Sequence, residues 1–168
     1  MTQPVSPPRT SAPVPRLSKV LCTTDLTELG DRAVPYAYAL VADRGLVCLL
    51  HVIDVHPTPS PLVPHYSSEG HESAAERLRR EQEATERLRA LVPPEAAERG
   101  IRTEVRIVGA RDPARVIREE ADRLDADAIC LASRSRPGLS STILGSISLD
   151  VLRDTSHPVL LIRPPAGS

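Results

Sequence analysis

Compact apolar runs alternate along this chain with longer stretches in which apolar residues return every three or four positions. The runs are Lys19–Thr24 (KVLCTT), Leu46–Val52 (LVCLLHV), Thr103–Val108, Ala128–Ala132 and Val159–Ile162. Most lack the in-out alternation of a half-exposed strand, so they read as strands covered on both faces.

The intervening stretches carry helix punctuation. Thr27 is placed to cap a helix on Ala33, Ala37, Leu40 and Val41, with Gly45 as its stop and Pro35 as a kink or a later start. Ser73-Ala-Ala-Glu76 is a capping box, Glu76/Arg80 and Glu83/Arg87 are i,i+4 pairs, and Leu78, Thr85, Leu88 and Val92 trace one face until Pro93-Pro94, with Gly100 closing any further turn. Asp112-Pro113 sets a cap before a first-turn proline and predicts a helix to about Leu124; a last helix runs from about Gly145 to Thr155. Strictly alternating β and α elements predict an α/β fold: an open parallel sheet with helices on both faces.

Composition narrows the function. The chain has 168 residues, 21 Lys+Arg against 22 Asp+Glu, three tyrosines and no Phe or Trp. That length suits one domain. Balanced charge without aromatic platforms argues against nucleic-acid binding. No run approaches the roughly 20 apolar residues of a membrane span. Five of the 17 prolines fall in the first 18 residues, so 1–17 reads as a disordered Pro-rich leader, 18–164 as the domain and 165–168 as a tail. Residues 54–70 (DVHPTPSPLVPHYSSEG) hold four prolines and no periodicity, an irregular loop within the domain. Cys22, Cys48 and Cys130 are odd in number and set in apolar runs, which reads as buried thiols in a reducing, cytoplasmic setting.

In open parallel sheets ligands bind beyond the carboxyl ends of the strands, where strand order reverses. That rule selects Thr24-Asp25, Val52 and the segment after Ala132. There SRSRPGLSSTILGS runs into a helix N-terminus, where free N–H groups favour an anion; Gly145 allows close approach, Ser146 adds a hydroxyl, and Arg134 and Arg136 supply charge.

Four segments together resemble the universal stress proteins: VLCTTDLTELGDRAVPYAYAL, CLLHVID, VRIVGARDPARVIREEADRLDADAICLASRSRPGL and LGSISLDVLRDTSHPVLLIR. The resemblance implies a five-stranded parallel sheet in the order 3-2-1-4-5, the adenine nucleotide alpha hydrolase-like arrangement, and a homodimer formed through Val159–Ile162. It also implies a role in stress response. One branch of the family binds ATP, with Mg or Mn, through G-x-x-G-x9-G-[ST]. Setting Gly145-Ser146 on the end of that motif places Ala132 and Ser135 at its first two glycines, and Arg134 where relatives carry His. Asp25 matches the adenine-contacting Asp, Thr24 its neighbour, and Val52 the apolar wall and backbone contact for the base. A Cβ at either glycine position changes the room for ribose and phosphates. The resemblance thus implies an adenine nucleotide module, and the altered glycines keep open a nucleotide-independent interaction protein acting through its dimer surface and the 54–70 loop.

Other chemistries find little support. His51, His56, His65 and His71 fall within 21 residues but match no metal-ligand spacing, and His51 lies in a strand. No G-x-S-x-G elbow is present, and His157 is poorly placed to serve Ser146, so no catalytic residues are assigned. Slow ATP hydrolysis or autophosphorylation is left open by the resemblance alone.

Overall fold

The computed structural model describes residues 14–55, 73–133 and 145–163. Five strands, β1 (Leu17–Thr23), β2 (Val41–Asp54), β3 (Arg102–Ala110), β4 (Ala128–Ala132) and β5 (Val159–Ile162), form one sheet in the order β3-β2-β1-β4-β5. Every neighbouring pair is parallel. Strand β1 begins at Leu17, so the last residue assigned to the leader belongs to the sheet.

Side chains from the central strands divide into two cores. Val20, Cys22, Val47, Leu49 and Cys130 meet Ala33, Val34, Ala37 and Tyr38 of α2 (Ala33–Leu40), Leu88 of α3 (Ala74–Ala90) and Ala96 of α4 (Glu95–Glu98). Leu21, Cys48, Leu50, Ile129 and Leu131 meet Ala114, Ile117, Ala121 and Leu124 of α5 (Pro113–Leu124) and Val151 of α6 (Ser146–Asp154). Both sheet faces are covered, as the unbroken apolar runs require.

Local punctuation departs from expectation at Thr27 and at Gly45, with Pro35 resolved between them. Thr27 does cap a helix, but only the single turn α1 (Glu28–Asp31), and its Oγ1 accepts from Gly30 N. Pro35 falls at the third residue of α2, where the missing N–H would lack a helical partner anyway; of the two expected outcomes, the helix takes the later start and needs no kink. The helix ends at Leu40 and Gly45 lies inside β2, not at a helix stop. A Cβ on Gly45 would approach Ser18 O to 2.7 Å and Ala42 O to 2.8 Å. Glycine there permits close packing against β1, beside the register shift between Leu17 and Lys19.

The capping box on α3 is present: Ser73 Oγ accepts from Glu76 N and Glu76 accepts from Ser73 N. Its apolar stripe is shorter than the spacing implied, because Leu78 is 56% exposed whereas Ala84 and Leu88 are buried. Glu83 pairs with Arg79, while Arg87 reaches across to donate to Leu26 O at 2.6 Å. Gly100 closes the segment after α4 at φ 64, and Asp112 accepts from Arg115 N ahead of Pro113, starting α5 as the sequence predicts.

Candidate functional site

Strand β1 ends at Thr23, and the next eight residues form a turn whose polar groups largely bind one another. Thr24 N donates to Leu50 O at 3.1 Å, the final bond of the β1–β2 ladder. The Thr24 side chain turns inward: Oγ1 donates to Asp31 Oδ1 at 2.7 Å and accepts from Leu26 N at 2.9 Å. Asp25 is exposed, and its Oδ1 accepts from both Thr27 N and Thr27 Oγ1. Such Asx geometry fixes a carboxylate at a strand end. Leu26 takes φ 60, a conformation that Arg87 supports by binding its carbonyl.

Gly30 allows this turn to close. A Cβ there would be driven into the Asp25 carboxylate and the Thr24 hydroxyl. His51, on β2, contributes from the neighbouring strand: Nδ1 lies 2.9 Å from Thr24 O, and since a carbonyl only accepts, Nδ1–H is the donor. Neither residue was singled out for the site from sequence. His51 had a signal, being the one histidine or charged residue in the apolar run Leu46–Val52; Gly30 had none short of the turn itself.

The remaining expected residues flank this turn. Val52 is half-buried, its side chain against the core that faces α5. Ala132 lies within regular β4, paired with Ile162, and packs against the opposite core beside Cys130. Its methyl therefore fits the strand, and no positive φ is required. Ser133 is buried and donates from N to Ile162 O. Gly145 is the N-cap of α6 with extended φ and ψ, and Leu149 N donates to Gly145 O, so the N–H groups of Ser146, Ile147 and Ser148 have no partner within the helix. Ser146 is exposed. Arg134 and Ser135 lie outside the described residues, as do His56, His65 and His71.

Competing chemistries can be placed as well. His157 sits at the other end of α6 from Ser146; its ring bonds Ala126 O and Asp122 Oδ1, each at 2.8 Å. All three cysteines are free and buried. Cys22 faces Cys130 in register, and that neighbour together with burial pushes its thiol up. Burial first, then Glu104, pushes Cys48 up to about 11. Thiols held neutral in this way are poor nucleophiles. Among the described residues no group of three or more His, Cys, Asp or Glu could hold a metal ion, and no helix is long and apolar enough to cross a membrane.

The universal stress protein family model matches residues 17–163. Universal stress protein G of Shigella flexneri is 34% identical over 137 residues, covering 81% of this chain and 90% of that protein. Among solved structures, a universal stress protein in complex with cAMP aligns at TM-score 0.57 and 20% identity, over 89% of this chain and 98% of the other. A family protein from Arabidopsis thaliana with AMP bound also aligns at 0.57 and 20%, over 89% and 93%. The structural likenesses establish the same fold; with a family match that spans all five strands, this chain belongs to the universal stress protein family.

Proposed function

We propose that the carboxyl ends of β1, β2 and β4 together bind an adenine nucleotide, and that the chain works in the cytoplasm as a dimeric, non-catalytic regulatory module in stress response. The observation that supports this reading is the Thr24–Asp31 turn, which fixes the Asp25 carboxylate just past the carboxyl end of β1, the strand between β2 and β4 at which strand order reverses. Asp25 and Val52 would take the base, while Gly145, Ser146 and the α6 N-terminus would meet the phosphates. Ala132, Arg134 and Ser135 would line the path between them. Relatives with AMP and cAMP bound support an adenine ligand. ATP with Mg or Mn is the fullest ligand this arrangement would accommodate.

A nucleotide-independent interaction role is the second reading, favoured by Ala132, whose side chain is packed into the core where ATP-binding relatives carry glycine. Thermal unfolding with AMP and with ATP, each with and without Mg, separates the two. A ligand bound only by the native state raises the melting temperature as its concentration passes Kd. The expected result is a rise with both nucleotides, larger for ATP in the double variant Ala132→Gly with Ser135→Gly, and lost in Gly30→Ala. An unchanged melting temperature at millimolar nucleotide would reject the nucleotide reading and leave the interaction role.

A further inference from the structure

The end of β1 is not a simple fraying of the ladder. In a parallel pair the N–H and C=O of every second residue face the same neighbour. Leu50 pairs with Thr23 and its carbonyl accepts from Thr24 N, so the backbone groups of Leu50 face β1, those of His51 face β3, and those of Val52 face β1 again. Continued regularly, the ladder would next run from Val52 N to Thr24 O and then from Leu26 N to Val52 O.

Both of those partners are diverted by side chains. Thr24 O accepts from His51 Nδ1–H at 2.9 Å, and the pairing register stops at Thr23 and Leu50. Leu26 N donates instead to Thr24 Oγ1 at 2.9 Å. Strand β2 meanwhile stays straight against β3, in unbroken register to Asp54 and Ala110. Strand β1 is thus peeled away from a β2 that keeps going. The Val52 N–H and C=O are left outside the β1–β2 ladder, facing the space beyond the end of β1. A donor and an acceptor on one residue, side by side in a plane, match the hydrogen-bonding edge of a purine base.

We infer that His51 is a positioning residue for base recognition: by holding Thr24 O it keeps Val52 N–H out of the ladder and available to a purine edge. The inference rests on the nucleotide reading above and names a residue that acts on that site through the backbone. Thr24 is its partner in the device, because its hydroxyl removes Leu26 N from the Val52 carbonyl. The imidazole serves here as a donor of fixed direction, a role that the Nδ1–H tautomer fulfils.

His51→Leu removes the donor and keeps an apolar filler of similar reach, whereas His51→Asn retains an N–H near the Nδ1 position. Two readouts are taken on each full-length variant: amide hydrogen exchange at Val52 by NMR, and the dissociation constant for AMP by calorimetry. In the parent, Val52 N–H should exchange at least tenfold faster than Leu50 N–H, which lies within the ladder. In His51→Leu, Thr24 O turns to Val52, exchange at Val52 slows by about tenfold or more and AMP binding weakens by a similar factor; His51→Asn restores both. If Val52 exchange is the same in the parent and His51→Leu, the inference is wrong, whatever happens to affinity. If exchange responds as expected but AMP binds to neither protein, the backbone device stands and the nucleotide reading fails. Should His51→Leu not fold, His51→Ala serves the same test, with slowed exchange of Val52 N–H expected and unchanged exchange overturning the inference.

Discussion

The sheet has two edge strands, β3 and β5, and they are built oppositely. Strand β3 presents Arg102 and Glu104 exposed on one side, with Arg106 tied to Glu120 of α5 at 3.1 Å and Thr103 bonded to Tyr38 of α2 at 2.6 Å. Strand β5 is VLLI, all four residues half-buried and none charged. The helix that leads into it, α6, exposes Ile147 at 44%, Leu149 at 41% and Leu152 at 39%. Charge on an edge resists pairing with another chain, and an apolar, uncharged edge invites it. The asymmetry leaves β5 as the edge suited to pairing, so that under the proposed dimer assembly would stop at two copies instead of running on into a fibre.

Breaking the β5 edge should have the largest effect. Ile129 N donates to Pro158 O and Ser133 N to Ile162 O, so Pro158, Leu160 and Ile162 face β4 while Val159 and Leu161 direct their N–H groups outward. Leu161→Pro removes one outward donor and leaves the bonds to β4 intact, a substitution edge strands tolerate. Two copies lose two hydrogen bonds between them, and the dimer dissociation constant should rise about 100-fold. Analytical ultracentrifugation reads this directly. A variant that sediments as a dimer like its parent would show that β5 is not the pairing edge, and a parent that sediments as a monomer would remove the dimer altogether.

The complementary change opens β3. Arg102→Val with Glu104→Val replaces two exposed charges by β-branched apolar residues on a strand that is already paired on its inner side. Light scattering should show a mass beyond the dimer, by about twofold as concentration rises toward that of a second weak contact. A mass equal to the parent's up to the solubility limit would mean that something other than charge closes this edge.

The contrast between edges could be read in part from the sequence, and the reasons for its limits are physical. HPVLLIR against RTEVRIV shows the difference in charge at once. The strands β4 and β5 coincide with their apolar runs, because Asp127 and Pro158 bound their starts and Ser133 and Arg163 follow their ends. Strand β2 was underestimated. Its first residues, Val41-Ala-Asp-Arg, carry no strand signal and are held by tertiary contacts, including Arg99, which donates to Val41 O and pairs with Asp43. The strand order rested on the family resemblance; periodicity alone allowed other orders. At the candidate site, position and resemblance nominated Thr24, Asp25 and Val52, and the structure sets Thr24 and Asp25 just past the end of β1 and Val52 near the end of β2. His51 and Gly30 could not be given their roles, since each depends on where Thr24 and Asp25 fall after folding, 27 residues away for His51.

The charges that guard β3 also act inward, and their smallest consequence is measurable. Cys48 lies on β2 opposite Glu104, buried under α5. Burial is the main cause of its raised thiol value, about 11 against an ordinary 9.0; Glu104 and Glu120 add to it, and Arg106 and Arg123 oppose it. A group whose value is raised by folding stabilises the fold fully below its unfolded value and loses that contribution as pH rises through the folded one. The window is therefore alkaline, from about pH 9 to about pH 11. Denaturant unfolding across it should show the parent losing on the order of 1–2 kcal/mol more than Cys48→Ala by about pH 10.5. Glu104→Gln should soften that loss by a few tenths of a kcal/mol, since it removes a lesser cause while leaving burial in place. Equal pH slopes for the parent and Cys48→Ala would mean that water reaches the thiol beneath the β3 edge, and that the charged edge is looser than its partner across the sheet.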